Sequence, residues 1–486
     1  MNVVETSLSS FRIPLLFVLL SIVIGSAIGV FVVDVNKPLL ILVGLAAVIA
    51  SAFTLASVET GLLFLVFITY TRFSDVLVQV HNAPSVAKSF IALLLAVIII
   101  RWVLFRETPT GWQLPALLVG IYGLIGFASL LYAHDSSRVV ITLENYVKDV
   151  LIALVVIAAL KRVELIRNVV WSLLAAGAFM GTLSVYQYLT KTFTANYWGF
   201  SVAKYMQITA GSPNDYRLVG PVGDPNFYAQ VMVVLVPLAL ERALHERKLI
   251  LKIFSGWTAI VSILTVMFTF SRGGALALFI SLAIFLFLYP PRPLHLVIFI
   301  GTGLILLLFI PTTYFDRILS LQDLIPSASG NINVRTDPSF QGRASEFLTG
   351  WLMYEENPIV GVGLSNYVVR YQEFAKRVGL APGSEPRSAH NLYLEVAAET
   401  GTLGFSVFML IVWLAMRSIL IARKTLFEIG EDDCAHLTTA FAIAFIGYLV
   451  AALFIHAAYP RYFYLLIGIA FALSPAVKRL TIAQAN

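Results

Sequence analysis

Two polar segments, QGRASEFLTGWLMYEENPIVGVGLSNY (341–367) and RSAHNLYLEVAAETGTLG (387–404), interrupt a chain that is otherwise strongly apolar. The second segment continues directly into an apolar stretch that is long enough to enter a membrane. Polar and ionisable groups are costly beside lipid and are usually kept there for a function. These segments are therefore the predicted site of chemistry.

The composition places the rest of the chain in a membrane. Of 486 residues, 59% are hydrophobic and only 12% are charged, which leaves too little polar surface to cover a soluble globule. The net charge of +6 comes from short basic clusters between apolar runs. Such clusters fit membrane orientation better than binding to nucleic acid, so we expect no nucleic-acid partner. Cys434 is the single cysteine, which excludes intrachain disulfides and a cysteine-based metal site.

The apolar runs predict about fourteen transmembrane helices, because a helix of about 20 residues crosses the hydrocarbon core. The run that reaches Val33 is interpreted as a retained first span rather than a cleaved signal peptide. The third and sixth runs are short, so twelve or thirteen crossings are also compatible with the sequence. The predicted spans are 12–33, 38–57, 60–72, 87–105, 113–133, 146–160, 168–190, 226–242, 252–270, 273–290, 294–311, 391–416, 437–457 and 461–477.

Alternate loops differ in their Lys and Arg content, which predicts their orientation. One set carries basic clusters such as Arg242, Arg247, Lys248 and Lys252, and we assign it to the cytoplasm. Both termini then lie in the cytoplasm. The opposite, outer set contains loops 34–37, 72–88, 134–148, 191–225, 271–273, 311–390 and 459–461.

The chain is therefore expected to be an all-α polytopic membrane protein with a large periplasmic loop that carries amphipathic helices. One such helix is predicted over Ala344–Glu356 and another over Leu364–Val378, where apolar residues recur at helical spacing. They could lie on the membrane surface or cap a cavity between spans. The predicted units are 1–215 (N-terminal helices), 216–311 (central helices), 312–390 (periplasmic loop) and 391–486 (C-terminal helices).

His390 is the predicted catalytic base. It lies where the loop re-enters the membrane, three residues after Arg387, and is followed by Asn391, Glu395 and Glu399. An imidazole accepts a proton near neutral pH, and a neighbouring guanidinium is expected to favour its neutral form. Asn391 or Glu399 could orient the ring, and a purely structural histidine remains the alternative.

Arginines beside the spans form a second predicted group. Arg272 follows Ser271 in TFSRGGALAL, between two apolar runs that leave almost no loop, and Arg217 opens RLVGPVGDPNFYAQ with Asp224 and Asn226 in its turn. An arginine at the bilayer centre costs about 2.5–3.5 kcal/mol, so each needs a partner. Two interpretations are open for each: a clamp on a phosphate, or an arginine that snorkels to the interface or forms an ion pair at a helix terminus.

The predicted diphosphate-binding set collects the arginines of the outer face. Arg343 starts the first loop helix, and Arg461 follows Tyr459 at the last outer turn. Guanidinium groups could neutralise a departing diphosphate while His390 deprotonates an acceptor hydroxyl. The outer loop DVNK (34–37) lacks paired carboxylates, so we expect no metal and no other cofactor. The set is Arg217, Arg272, Arg343, Arg387 and Arg461.

The segments DPNFYA, SRGGALAL, the QGR helix with NPIVGVGLSNY, and HNLYLEVAAETGTLG together resemble the O-antigen ligase and O-antigen polymerase superfamily of bacterial envelope glycosyltransferases. The resemblance covers roughly residues 215 to 475. It implies a fold of the GT-C type in the inner membrane and an undecaprenyl-diphosphate-linked glycan as donor. It also implies a metal-independent, inverting transfer, with His390 essential and Arg217, Arg272 and Arg343 on the diphosphate.

The superfamily leaves several functions open. A ligase onto lipid A core, a polymerase of repeat units and a ligase that glycosylates protein share these motifs and differ in their acceptor. A transporter or flippase for a lipid or polysaccharide is an alternative of another class, and it has no strict need for a base at His390. No convincing internal repeat is present in the sequence, which weakens the transporter alternative.

Overall fold

The computed structural model describes residues 38–207, 214–290, 301, 338–378, 387–456 and 460–485. Helices dominate this part of the chain. The helices are α1 (Pro38–Ala56), α2 (Val58–Tyr70), α3 (Phe73–His81), α4 (Val86–Phe105), α5 (Gln113–Ala128), α6 (Ser136–Ala159), α7 (Glu164–Leu189), α8 (Pro225–His245), α9 (Leu249–Phe268), α10 (Arg272–Leu288), α11 (Pro338–Glu356), α12 (Tyr367–Val378), α13 (Leu392–Glu428), α14 (Asp432–Ala451) and α15 (Pro460–Ala485). The strands are β1 (Ala203–Gln207) and β2 (Asn214–Leu218).

Eight of the described helices are long and apolar enough to cross a membrane, and the bent pair of α2 and α3 is a ninth if it forms one span. This result confirms the predicted all-α, multi-pass membrane fold. α2 and α3 meet at 51°, so the short predicted span 60–72 belongs to a bent element. The predicted spans 12–33 and 294–311, apart from Gly301, lie outside the described residues, as does Tyr459.

A short hairpin in the outer segment 191–225 was not predicted. β1 and β2 pair antiparallel, with Lys204 opposite Arg217 and Tyr205 opposite Tyr216. The rings of Tyr205 and Tyr216 lie 5.0 Å apart, a cross-strand aromatic contact that supports this register. Neither AKYMQ nor NDYRL alternates strictly between apolar and polar residues, so periodicity gives no strand signal here. The hairpin holds Arg217 on a paired strand rather than in an irregular loop.

Helix α8 lies at the centre of the bundle and contacts α7, α9, α10 and α14. Its side chains are buried almost all the way round, as expected for a core helix. Asp224 caps its start, because Oδ1 accepts hydrogen bonds from the backbone N–H groups of Asn226 (2.8 Å) and Phe227 (3.0 Å). Pro225 occupies the first helical position, where its missing N–H has no cost. The DPNF sequence is thus a rigid helix start beside β2.

The SRGG sequence forms the start of α10. Ser271 caps this helix, and its Oγ accepts a hydrogen bond from the backbone N–H of Gly274 at 3.1 Å. A Cβ on Gly274 would lie 2.5 Å from Cβ of Ala229, and one on Gly273 would lie 2.6 Å from Cβ of Phe454. The two glycines therefore let α10 pack closely on α8 and on the turn after α14, which fixes the position of Arg272.

Both predicted loop helices are present, with different starts. α11 begins at Pro338, and α12 begins at Tyr367 rather than at Leu364. Helix α12 starts later than predicted because Ser365 has a left-handed backbone (φ 58°), and because the Asn366 side chain forms hydrogen bonds outside this helix. The Asn366 side chain accepts from the backbone N–H of Asp135 at 2.7 Å and donates to its carbonyl at 3.2 Å. This contact ties the loop to the start of α6.

The apolar face of α11 does not point into the protein. Phe347, Leu348 and Trp351 are between 44% and 50% exposed, whereas Glu346 and Thr349 are buried. In a soluble protein the apolar residues of a helix normally face the core. In a membrane protein, the exposed apolar face suits contact with lipid. The buried face of α11 is consequently the polar one, and it carries the site.

Helix α13 is broken at Gly401, whose backbone is left-handed (φ 62°). The segment after α11 fills the break: Val362 N–H donates to Ala398 O and Gly363 N–H donates to Glu399 O, both at 2.9 Å. A Cβ on Gly361 or Gly401 would overlap the opposing backbone. The glycines of NPIVGVG and ETGTLG therefore allow two backbone segments to meet, and they anchor α11 to α13.

Candidate active site

His390 lies one residue before the cap of α13 and has a left-handed backbone (φ 46°). Its Nδ1 is 2.9 Å from Oε2 of Glu346 and 3.1 Å from the carbonyl oxygen of Ser388. Both partners are hydrogen-bond acceptors, so Nδ1 carries the proton and Nε2 remains for a ligand. The side chain of Glu346 is only 3% exposed, whereas that of His390 is 34% exposed, so the carboxylate is buried and the ring remains accessible to solvent. The arrangement is an imidazole oriented by a buried carboxylate.

The electrostatic setting of His390 differs from the expectation. Burial lowers the pKa of His390, but the hydrogen bond and negative charge of Glu346 outweigh burial and raise that pKa above its ordinary value. Arg343 opposes the rise, as a nearby guanidinium should. The expectation that an arginine holds the ring neutral was therefore wrong in its net effect. Arg387 acts on the same carboxylate, with Nη1 3.4 Å from Glu346 Oε1.

Arg217 is almost fully buried, with 6% of its surface exposed. Its Nε donates to the carbonyl oxygen of Thr269 at 2.8 Å, and its Nη1 lies 3.5 Å from Sδ of Met206. Its Nη2 is buried and has no hydrogen-bond partner among the described residues. A buried donor left without a partner costs about 1–3 kcal/mol, so this group is suited to an incoming acceptor. An anionic ligand would satisfy it.

Two of the predicted arginines, Arg343 and Arg272, act electrostatically on a third, Arg217. The pKa of Arg217 is lowered to about 10, chiefly by burial; the charge of Asp224 opposes this shift, and the positive charges of Arg343 and Arg272 contribute to it. Arg217 still carries its full charge at neutral pH. Arg343 also lowers the pKa of His390, so its charge affects both Arg217 and the imidazole. We call Arg217, Arg272 and Arg343 the arginine cluster.

The predicted supporting residues have local structural roles. Asp224 caps α8 as described above, and Asn391 caps α13 through Oδ1, which accepts from the backbone N–H of Leu394 at 3.0 Å. Glu399 accepts from the backbone N–H groups of Ser365 (2.8 Å) and Tyr367 (3.1 Å), so it stabilises the loop. In this structure Glu346, rather than Asn391 or Glu399, orients the histidine ring.

Arg461 lines a cavity of about 530 Å³, and no residue of the arginine cluster is among the described residues that line it. Its Nη1 is 2.6 Å from Asp75 Oδ2, and its Nε is 3.4 Å from Asp149 Oδ1. Among the described residues, the partners of this arginine are carboxylates, as in the ion-pair interpretation. Glu395 lines the same cavity.

Sequence analysis missed two residues of this region, Glu346 and His456. The His456 ring lies edge-on to that of His390, with centroids 5.2 Å apart. Burial, with a contribution from the charge of His390, lowers the pKa of His456 to about 4. Glu346 had one available signal, its place three residues after Arg343 in the QGR helix. His456 follows an apolar span and had none.

Residues 257–409 match the family model described as O-antigen ligase. This stretch of the chain is similar to an O-antigen ligase domain. The match confirms the predicted superfamily over a shorter range than expected and identifies a glycosyltransferase-like enzyme. The domain contains Arg272, Arg343, Glu346 and His390, whereas Arg217 precedes it and His456 and Arg461 follow it. No curated protein matches the chain.

Proposed function

We propose that this protein moves a glycan from undecaprenyl diphosphate to an acceptor hydroxyl at the periplasmic face of the bacterial inner membrane. The transfer is metal-independent and inverts the anomeric carbon, and it serves lipopolysaccharide or envelope polysaccharide biosynthesis. The observation that supports this most directly is the pairing of His390 with buried Glu346 beside the arginine cluster. The His390–Glu346 pair is suited to accept a proton, and the arginine cluster is suited to neutralise phosphate charge.

In the proposed reaction, the acceptor oxygen attacks the anomeric carbon as the bond from that carbon to the diphosphate breaks. The hydroxyl proton passes to Nε2 of His390, and Glu346 stabilises the imidazolium that forms. Negative charge develops on the departing diphosphate, where preorganised donors lower the barrier most. Arg217 Nη2 offers such a donor, since no described residue satisfies it. Arg272 and Arg343 add positive charge at the same place.

Lipid A core oligosaccharide is the favoured acceptor, in line with the description of the family model. A polymerase would use another lipid-linked glycan as acceptor, and a protein ligase would use a polypeptide hydroxyl. A transfer assay with purified protein and one lipid-linked donor distinguishes these cases. Each acceptor is supplied separately, and the one that gains glycan identifies the reaction.

The base assignment is tested by His390→Ala in the same assay. We expect transfer to fall to background, while the protein remains inserted and elutes normally on size exclusion. His134→Ala is the matched control, because His134 is exposed in another loop assigned to the outer side and has no described hydrogen bond. Normal turnover of His390→Ala would remove the catalytic assignment and would favour a transporter.

A further inference from the structure

The cavity that contains Arg461 lies between the helices, below the start of α12, and is distinct in charge from the arginine cluster. It is lined by residues of α3, α5, α6, α8, α12, α13, α14 and α15, together with residues of the loop around Ser365. Five tyrosines contribute to its wall, as do the polar side chains of Gln79 and Asn145. A pocket of mixed aromatic and polar lining is typical of a small-molecule site.

An ion-pair network lies on one wall of this cavity. Arg461 bridges Asp75 on α3 and Asp149 on α6, and Arg72 also contacts Asp75 at 2.9 Å. Asp75 uses only Oδ2 and Asp149 uses only Oδ1, so each keeps one oxygen without a hydrogen-bond partner among the described residues. Gln79 also lines the cavity, and no hydrogen bond of its side chain to another described residue is present.

The charges of this wall argue against a phosphate and favour an uncharged ligand. Both carboxylates would repel an anion, and they already compensate the charge of Arg461. A hydroxyl group can donate to a carboxylate oxygen and accept from a guanidinium N–H, so it matches both members of such a pair. The aromatic side chains offer apolar faces to the C–H groups of a ring. A sugar ring combines these properties.

One residue of the cavity wall contacts the predicted base. His456 lines the cavity, and the His456 ring contacts His390 with centroids 5.2 Å apart. The Nδ1 of His456 is buried and has no hydrogen-bond partner in the described part of the chain. An imidazole nitrogen in this state suits a hydroxyl donor. A sugar bound beside His456 would therefore lie one side chain away from the group that removes a proton.

We propose that this cavity binds a hydroxyl-rich sugar ring, held by Asp75, Asp149 and Arg461 and adjacent to His390 through His456. The inference rests on the proposed function, since it adds a sugar subsite to the diphosphate subsite. The ring belongs either to the donor glycan or to the acceptor. Both sources share the chemistry that the cavity recognises.

The test is saturation-transfer-difference NMR on the full chain in nanodiscs, with three probes. These are lipopolysaccharide core oligosaccharide, the donor glycan released from its lipid, and inorganic diphosphate. Asp149→Asn removes the charge that the hydroxyls would meet. Gln79→Leu removes a lining amide outside the ion pairs, so it tests the cavity without disturbing the network. Asp135→Asn is the control, because Asp135 caps the same helix outside the cavity and Asn caps equally well.

We expect at least one sugar probe to bind the unmodified protein, and the probe that binds identifies the source of the ring. Asp149→Asn should weaken that binding by about tenfold and Gln79→Leu by a smaller factor, whereas Asp135→Asn should not change it. The proposal is overturned if neither sugar binds, or if both cavity variants bind it normally. Binding of inorganic diphosphate tests the other subsite. Arg217→Gln should weaken diphosphate binding, and an unchanged affinity would contradict only the proposed diphosphate subsite.

Discussion

Glu346→Gln is the most informative perturbation of the proposed site. It removes a charge but keeps the shape of the side chain, so the imidazole loses its negative partner 2.9 Å from Nδ1. A hydrogen bond to a charged group contributes about 1.5–3 kcal/mol, which corresponds to about a 10- to 150-fold change in rate. Because the His390 side chain is 34% exposed, solvent screens the pair and the lower part of this range applies.

The pH profile gives the same variant a second readout. His390 accepts a proton only when it is neutral, so the rate should fall as pH drops through its pKa. Glu346 raises that pKa. Glu346→Gln should therefore move the acid limb of the profile to lower pH while it lowers the plateau. A merely structural carboxylate would lower the plateau without this displacement.

The assay is the rate of glycan transfer from the lipid-linked donor, measured from acidic to mildly basic pH at saturating substrate. Glu373→Gln is the matched control, since Glu373 is exposed on α12 and forms its ion pair, within the described part of the chain, with neighbouring Arg370. That variant should leave both the plateau and the acid limb unchanged. If Glu346→Gln also leaves both unchanged, Glu346 does not act through His390 and the reasoning fails.

Three further results are expected. Arg272→Lys should lower transfer by about tenfold or more, because an ammonium cannot form two parallel bonds to phosphate, whereas Arg370→Lys should have no effect; equal rates would make Arg272 structural. In ¹⁵N NMR of labelled histidines, His456 should stay neutral between its pKa of about 4 and the ordinary histidine value while His390 titrates above it. Gly274→Ala should destabilise the protein by about 1–3 kcal/mol in a thermal unfolding assay, because its Cβ would overlap Ala229. Gly256→Ala has open space and should not destabilise it.

The sequence predicted the residue types of the site better than their contacts. His390 stood out by its place at the membrane re-entry, and Arg217 and Arg272 by their cost beside apolar spans. The partner of His390 is 44 residues away along the chain, and Arg461 meets Asp149 across 312 residues. Periodicity and spacing report on neighbours within one helix, so they carry no information on pairs of this kind.

The orientation of α11 is a second feature that the sequence did not determine, and the reason is physical. Helical spacing correctly predicted that Phe347, Leu348 and Trp351 share one side of the helix. It did not predict that this side is exposed, because a pattern of apolar residues does not distinguish a protein core from lipid. Once lipid covers that side, the polar side must be buried. Glu346 consequently faces His390.

The glycine motifs also determine the geometry of the Glu346–His390 pair. The Glu346–His390 bond joins α11 to the residue before α13, so its length depends on how these two helices are held. They are held by backbone bonds at the break around Gly401, where Thr402 N–H donates to Pro358 O at 2.7 Å. A side chain at Gly361 or Gly401 would force the two backbones apart. Because a charge-assisted hydrogen bond weakens steeply with distance, such a change would separate the carboxylate from the base without touching either residue.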